Sequence, residues 1–372
     1  MYYLATKLTS SAWFDRTNPC KKAEMILFSV SIPGRFGDWC DAAIGRLASS
    51  VLGVVVSTAA NTAEELASEL IKAEGAHFYV GARQPTRWLR ENLVATNKKF
   101  VVAIDNPQYA VNDLITRHNL EPTEATRRVA SSCATLSRYT SLPGALVITA
   151  ERDWLDPIAT ITAIGTHLGF VVAPSTVEQI AIDLATAGLQ PSTASDTPAP
   201  AHLTEDDAAM IAGAVGVYSQ YLSSGLLDQI TWARQLFHGN GQPVLPRVID
   251  VTGKPRCLAY GPYIALPWGD WTADLVLGFS EDAIDTTFKI DIFAGSILNV
   301  TSIKPAHAGV QTTSINFVIE EANDNLVEIR LYSETAAIFG EIALGHAILT
   351  RRRGVSPEVS ASLRSDLGLP VR

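Results

Sequence analysis

The spacing of apolar positions changes character about two thirds of the way along the chain. In the first part, short continuous apolar runs alternate with stretches of helical period. Residues 25–32 (MILFSVSI) form such a run, stopped by Pro33, Gly34 and Gly37, which predicts a buried strand and then a turn. Asp38 is placed as the N-cap of a helix in which Trp39, Ala43 and Leu47 share one face. Asn61 with Glu64 marks a further helix start, with Leu66, Leu70 and Ala73 aligned behind it. Residues 76–80, 100–104 and 145–149 read as strands, and Asp156-Pro157 opens a helix reaching His167. Fully apolar strands alternating with helices imply a parallel sheet covered on both faces.

Residues 190–202 (QPSTASDTPAPAH) have linker composition. Thr204 and Asp207 then form a capping pair, Ala208, Ile211, Val215, Tyr218 and Leu222 recur at helical spacing, and a second helix is predicted over 226–237. From about residue 242 the period becomes two. Phe288, Ile290 and Ile292 alternate with polar residues, as do Ile315, Phe317 and Ile319, and Val327, Ile329 and Leu331 after the Asn323-Asp324-Asn325 turn. That pattern predicts antiparallel strands and a β-sandwich. The expected organisation is an α/β unit over 1–240, with helices at 204–238, a sandwich over 242–353 and a tail at 354–372. Arg351-Arg352-Arg353 reads as a solvated stop, with a glycan or phosphate contact as the other reading.

Composition narrows the classes. Of 372 residues 47% are hydrophobic and 18% charged, which excludes wholesale disorder. A net charge of −9 argues against a protein built to coat nucleic acid. Cys20, Cys40, Cys133 and Cys257 form no C-x-x-C pair and read as free thiols of a reducing compartment. No histidine pairs with another at i,i+3 or i,i+4 spacing, so no metal is expected. Neither a signal peptide nor a membrane-spanning run is visible, and the expected location is cytoplasmic, with other export routes left open.

The strand–loop–helix at residues 28–48 is a natural anion site, because backbone N–H groups and the helix dipole converge there. It is not a Walker loop. Pro33 and Trp39 are spaced as in the phosphosulfate loop of the sulfotransferase family, P-[KR]-[ST]-G-[ST]-T-W. Residues 101–115 (VVAIDNPQYAVNDLI) look like that family's second motif, V-x-R-D-P-R-D-x-x-x-S. Residues 145–170 look like its Y-E-D-L-x-x-D-P strand, with Glu151 and Asp153 at the acidic pair, and the helix behind it. The chain thus resembles the sulfotransferase family over about residues 20–240. That resemblance implies a P-loop-type, doubly wound sheet and transfer of sulfuryl from 3′-phosphoadenosine 5′-phosphosulfate to a hydroxyl or amine.

The departures fall on the positions that would hold the donor. The implied donor loop is Pro33, Gly34, Arg35, Gly37, Asp38 and Trp39. In it the family's Lys or Arg falls on Gly34, Arg35 is one place late, and a Thr falls on Asp38. In the second motif the family's Arg and Ser fall on Asp105 and Asp113. Carboxylates there repel a dianion and forgo a charge-assisted bond. The family's catalytic His falls on Arg83, which keeps its proton and is no base. Glu64, Glu65 and His77 are the substitute candidates. No bound cofactor is therefore expected, the phosphosulfate donor being the alternative.

In the last part, Tyr260, Tyr263, Trp268 and Trp271 cluster in YGPYIALPWGDW. The segment resembles β-sandwich modules appended to polysaccharide enzymes. Exposed rings on a sandwich can stack on sugars. Tyr260 and Trp271 read as rings locked into the core, and Tyr263 and Trp268 as the carbohydrate candidates. The leading reading is a non-catalytic, glycan- or polysaccharide-recognising relative of the sulfotransferases. An active sulfotransferase is the second reading and a structural or assembly protein the third, with protein partners and self-association left open.

Overall fold

Five runs of apolar, partly β-branched residues pair as one all-parallel sheet in the computed structural model, which describes residues 25–60, 62–72, 77–189, 203–227 and 229–352. Asn61, Ala73, the linker at 190–202, Arg353 and the tail at 354–372 lie outside the described residues. The chain divides into two units, residues 1–225 and 226–372.

In the first unit the order of elements is β1 (Ile26–Ser31), α1 (Arg35–Leu52), β2 (Val55–Ala59), α2 (Ala63–Lys72), β3 (His77–Ala82), α3 (Arg87–Ala95), β4 (Phe100–Ile104), α4 (Pro107–His118), α5 (Pro122–Leu136), β5 (Ala145–Thr149), α6 (Ala150–Asp153), α7 (Pro157–Leu168), α8 (Pro174–Thr186), α9 (Glu205–Val215) and α10 (Val217–Ser224). The sheet runs β2-β3-β1-β4-β5, parallel throughout. Alternate residues face opposite layers. Leu27, Tyr79, Val101 and Ala103 join the core that α1, α7 and α8 bury, in which Phe36 stacks on Trp39 at 5.7 Å and meets Trp154 at 5.3 Å. On the other face α4, α5 and α9 pack together, and Ile211, Val215 and Tyr218 of the predicted stripe are buried, whereas Ala208 is exposed and Leu222 partly so. The Thr204–Asp207 capping box is present at the start of α9.

Two expected caps are corrected. Asp38 is not an N-cap: α1 already begins at Arg35 behind Gly34, which leaves Asp38 inside its first turn. At α2 the reciprocal cap is made by Thr62 and Glu65, whose N–H groups each donate to the other's side chain, at 3.3 and 3.2 Å. The helix expected over 226–237 is also corrected, since Gln229–Ala233 is a strand. Its Ile230 and Trp232 are buried on one side, and its backbone bonds go to the strand 341–351.

The second unit holds β6 (Gln229–Ala233), β7 (His238–Gly239), β8 (Ile249–Asp250), β9 (Arg256–Tyr260), β10 (Pro262–Ile264), β11 (Gly269–Phe279), β12 (Phe288–Phe293), β13 (Ile297–Ile303), β14 (Gly309–Ile319), β15 (Val327–Ser333) and β16 (Glu341–Arg351). One antiparallel sheet is β14-β11-β16-β6, with β8 beside β16. The other is β13-β12-β15-β9-β7, with β10 beside β15. The alternating residues Trp271, Leu275, Phe288, Ile290, Ile329 and Leu331 are all buried, as a β-sandwich core requires.

Candidate functional site

The carboxyl ends of β1, β3 and β4 meet where the sheet order reverses, the usual position of a ligand crevice in open α/β sheets. Gly34 carries the chain from β1 into α1 with φ at +148°. A Cβ there would lie 3.3 Å from Ala110 and from Asp105 Oδ2, so the position admits glycine and little else. Asp105 follows β4, and its buried carboxylate accepts from the N–H groups of Asn106 at 2.8 Å and Phe36 at 3.4 Å. The chain's own carboxyl group thus faces the first turn of α1, where an orphan N–H awaits an anion. Burial pushes the Asp105 carboxyl up to about 7, despite these two bonds.

Above it lies an ionic network. Arg83, directly after β3, donates to Asp38 at 3.0 Å and also contacts Asp41 and Ser31. Arg117, in the last turn of α4, donates through both terminal nitrogens to Asp38 at 3.1 Å and to Asp113 at 2.9 Å. Asp41 accepts from Ser29 at 2.8 Å and from Tyr79 in the layer under α1. Burial raises the carboxyls of Asp41 and Asp113, while Arg83 and Arg117 respectively oppose the rise. Ligand atoms of Asp38, Asp113 and His118 lie within 4.8 Å of one another. The Arg117 guanidinium bridges the two carboxylates there and supplies the positive charge they need.

The structure therefore gathers Gly34, Asp38, Asp105 and Asp113 around Arg83 and Arg117. Arg117, Asp41 and Tyr79 were not singled out from the sequence. Only the i,i+4 spacing of Asp113 and Arg117 signalled any of these contacts. Other candidates sit apart from the network. Arg35 donates to the Gly188 carbonyl at 2.7 Å. Trp39 is buried to 1% exposure against Phe36. Gly37, by contrast, borders the network: a Cβ there would come within 2.7 Å of the Ile32 carbonyl oxygen and 3.0 Å of Arg83 Nη1, so that glycine serves the close turn and leaves room for the guanidinium. Glu65 is engaged in the α2 cap and Glu64 is exposed beside it. His77 opens β3 at the end opposite Arg83, where its Nδ1 accepts from the Met25 N–H at 3.2 Å. Asp153 accepts from the Thr149 N–H at 2.6 Å.

In the sandwich, Trp268 is 49% exposed, with the Arg351 guanidinium 5.7 Å from its ring centroid and donating to its carbonyl at 2.8 Å. Trp271 is fully buried, and its Nε1 donates to the Pro267 carbonyl at 3.0 Å. Tyr263, held at φ +63°, is half-buried and packs with Tyr260 and His238, the ring centroids 6.2 and 5.9 Å away. Burial and the neighbouring Glu328 push its phenol up to about 12.

No protein-family model and no curated protein matches the chain. Among solved structures it is similar to a mouse sulfotransferase, SULT7A1, complexed with PAP, at 15% identity and TM-score 0.37, over 51% of this chain and 74% of that one. It is also similar to a family 16 carbohydrate-binding module at 11% identity and TM-score 0.22, over 34% of this chain and 79% of that one. A third match is TmCBM61 in complex with beta-1,4-galactotriose, at 11% identity and TM-score 0.21, over 27% of this chain and 67% of that one. No helix among the described residues is long and apolar enough to cross a membrane.

Proposed function

We propose that the α/β unit has lost the capacity to bind a phosphosulfate donor, and that the chain acts in glycan or polysaccharide recognition through its sandwich. The observation that carries the first half is the Asp105 carboxyl group occupying the first turn of α1, with Asp38 clamped between Arg83 and Arg117. A donor dianion needs free N–H groups and unspent cationic charge. Here two guanidiniums face Asp38, Asp41 and Asp113, with Asp105 buried beneath. Adding a dianion to that surplus of carboxylate is repulsive. Such a crevice does not fit the donor. The second half is supported by partly exposed Tyr263 or, as the alternative contact, by exposed Trp268.

The test is thermal unfolding of the full chain with adenosine 3′,5′-bisphosphate. A bound ligand at a hundred times its dissociation constant stabilises by about 2.7 kcal/mol. The expected result is no shift at millimolar nucleotide. A clear shift that Gly34→Ala abolishes would overturn the reading and favour a working sulfotransferase.

A further inference from the structure

The outer faces of the two sandwich sheets differ in kind. Outward residues of β11 and β14 include Thr272, Asp274, Ser314 and Asn316, and no described strand of that sheet turns a Phe, Tyr or Trp outward. The opposite sheet turns out a row of rings and fixed charges. On β15 the outward residues Glu328, Arg330 and Tyr332 follow one another at about 7 Å. Directly across on β12 stand Phe293, Asp291 and Lys289.

Two of these pairs are locked. Arg330 makes a two-pronged bond to Asp291, at 2.6 and 3.0 Å, and lies 4.4 Å over the Phe293 ring. The Lys289 ammonium sits 4.8 Å over Tyr332. At the far end of the row, Glu328 adjoins Tyr263, which packs with Tyr260 and His238. Apart from Asp291, the residues of the row are half-exposed.

We propose that this face of the β12–β15 sheet is a binding surface for a neutral saccharide chain, a proposal that rests on the glycan-recognition reading above. Its chemistry selects that ligand. Sugar hydroxyls both donate and accept, and the row offers donors at Lys289 and Arg330, an acceptor at Glu328 and phenols that do either. The half-exposed rings offer apolar area for the C–H faces of sugar rings at small entropic cost. Two cations stand against two carboxylates, so the row carries no net charge to recruit a polyanion. It lies on a sheet face, away from the unpaired edges where a peptide would add as a strand. Trp268 has no part in it.

The test is affinity electrophoresis of the full chain through gels holding a β-glucan, a xylan or a galactan, with alginate and pectate as anionic counterparts. Tyr332→Ala, Lys289→Ala and Trp268→Ala are run beside it, and melting curves report folding. The expected result is retardation by a neutral polysaccharide that weakens roughly fivefold or more in Tyr332→Ala and is unchanged in Trp268→Ala. If Tyr332→Ala does not fold, a weaker retardation of Lys289→Ala carries the same meaning. Retardation lost in Trp268→Ala alone would overturn this face while leaving glycan recognition intact. Binding of alginate or pectate only would overturn the ligand class. Retardation by none of the five would overturn this proposal together with the recognition reading.

Discussion

Asp105→Asn is expected to make the first unit more stable than wild type at pH 8, by roughly 3 kcal/mol, and slightly less stable, by about 1 kcal/mol or less, at pH 4. The buried carboxyl holds its proton up to about pH 7 in the folded chain, against an ordinary value of 3.8. Between those values the native state binds more protons than the unfolded state, so stability falls as pH rises. Its favourable share is complete below about pH 4 and gone above about pH 7. A shift of that size corresponds to something on the order of 4 kcal/mol. An amide of the same shape carries no charge to desolvate. It keeps an acceptor for the Asn106 N–H and gives up the longer bond from Phe36, a loss of about 1 kcal/mol. Urea unfolding of both proteins across pH 4–8 checks this through the difference between them, in which the other carboxyls common to both cancel. Parallel profiles would show that Asp105 is ionised in the folded chain throughout.

That a carboxylate faces the first turn of α1 was legible as a misfit of charge and invisible as a contact. The sequence showed Asp38, Asp105 and Asp113 where a donor site would have neutral or basic groups. It did not show which guanidiniums would answer them, because Arg117 lies 79 residues from Asp38 and Arg83 lies 45 away. Long-range ion pairs leave no local period to read. The buried strand β4 was legible to the residue, since five consecutive apolar residues leave little freedom, and β5, though an edge strand with only Ile148 buried, was legible from its apolar run Ala145–Ile148. Strand β2 was not, because it is an edge strand with two exposed positions among its five. The segment 226–237 has apolar residues at both periods. Pairing with β16 decides for a strand, an outcome that depends on residues more than a hundred positions away. The face of the β12–β15 sheet hid for a related reason. Its aromatic and charged residues are three on β12, three on β15 and one each on β7, β9 and β10, and only the pairing register assembles them.

The two tryptophans of the β11 entry are expected to part sharply. Trp271→Ala should cost about 3–5 kcal/mol, the range for removing a large ring from a packed core. Its side chain is fully buried, lies on the inward row of β11 with Ala273 and Leu275, and has its one polar atom satisfied by the Pro267 carbonyl. Truncation leaves a cavity there and an acceptor without its donor. Trp268→Ala should change stability by about 1 kcal/mol or less. Its ring is half exposed and its main partner is the exposed side of Arg351. An exposed cation over an aromatic ring contributes only about 0.5–1 kcal/mol. The bond that Arg351 makes to residue 268 goes to the backbone carbonyl, which alanine retains. Chemical denaturation of the two variants, followed on the transition of the second unit, checks both numbers together. Equal losses would mean that Trp268 is packed as part of the core. A small loss at Trp271 would mean that the inward row of β11 repacks around the missing ring.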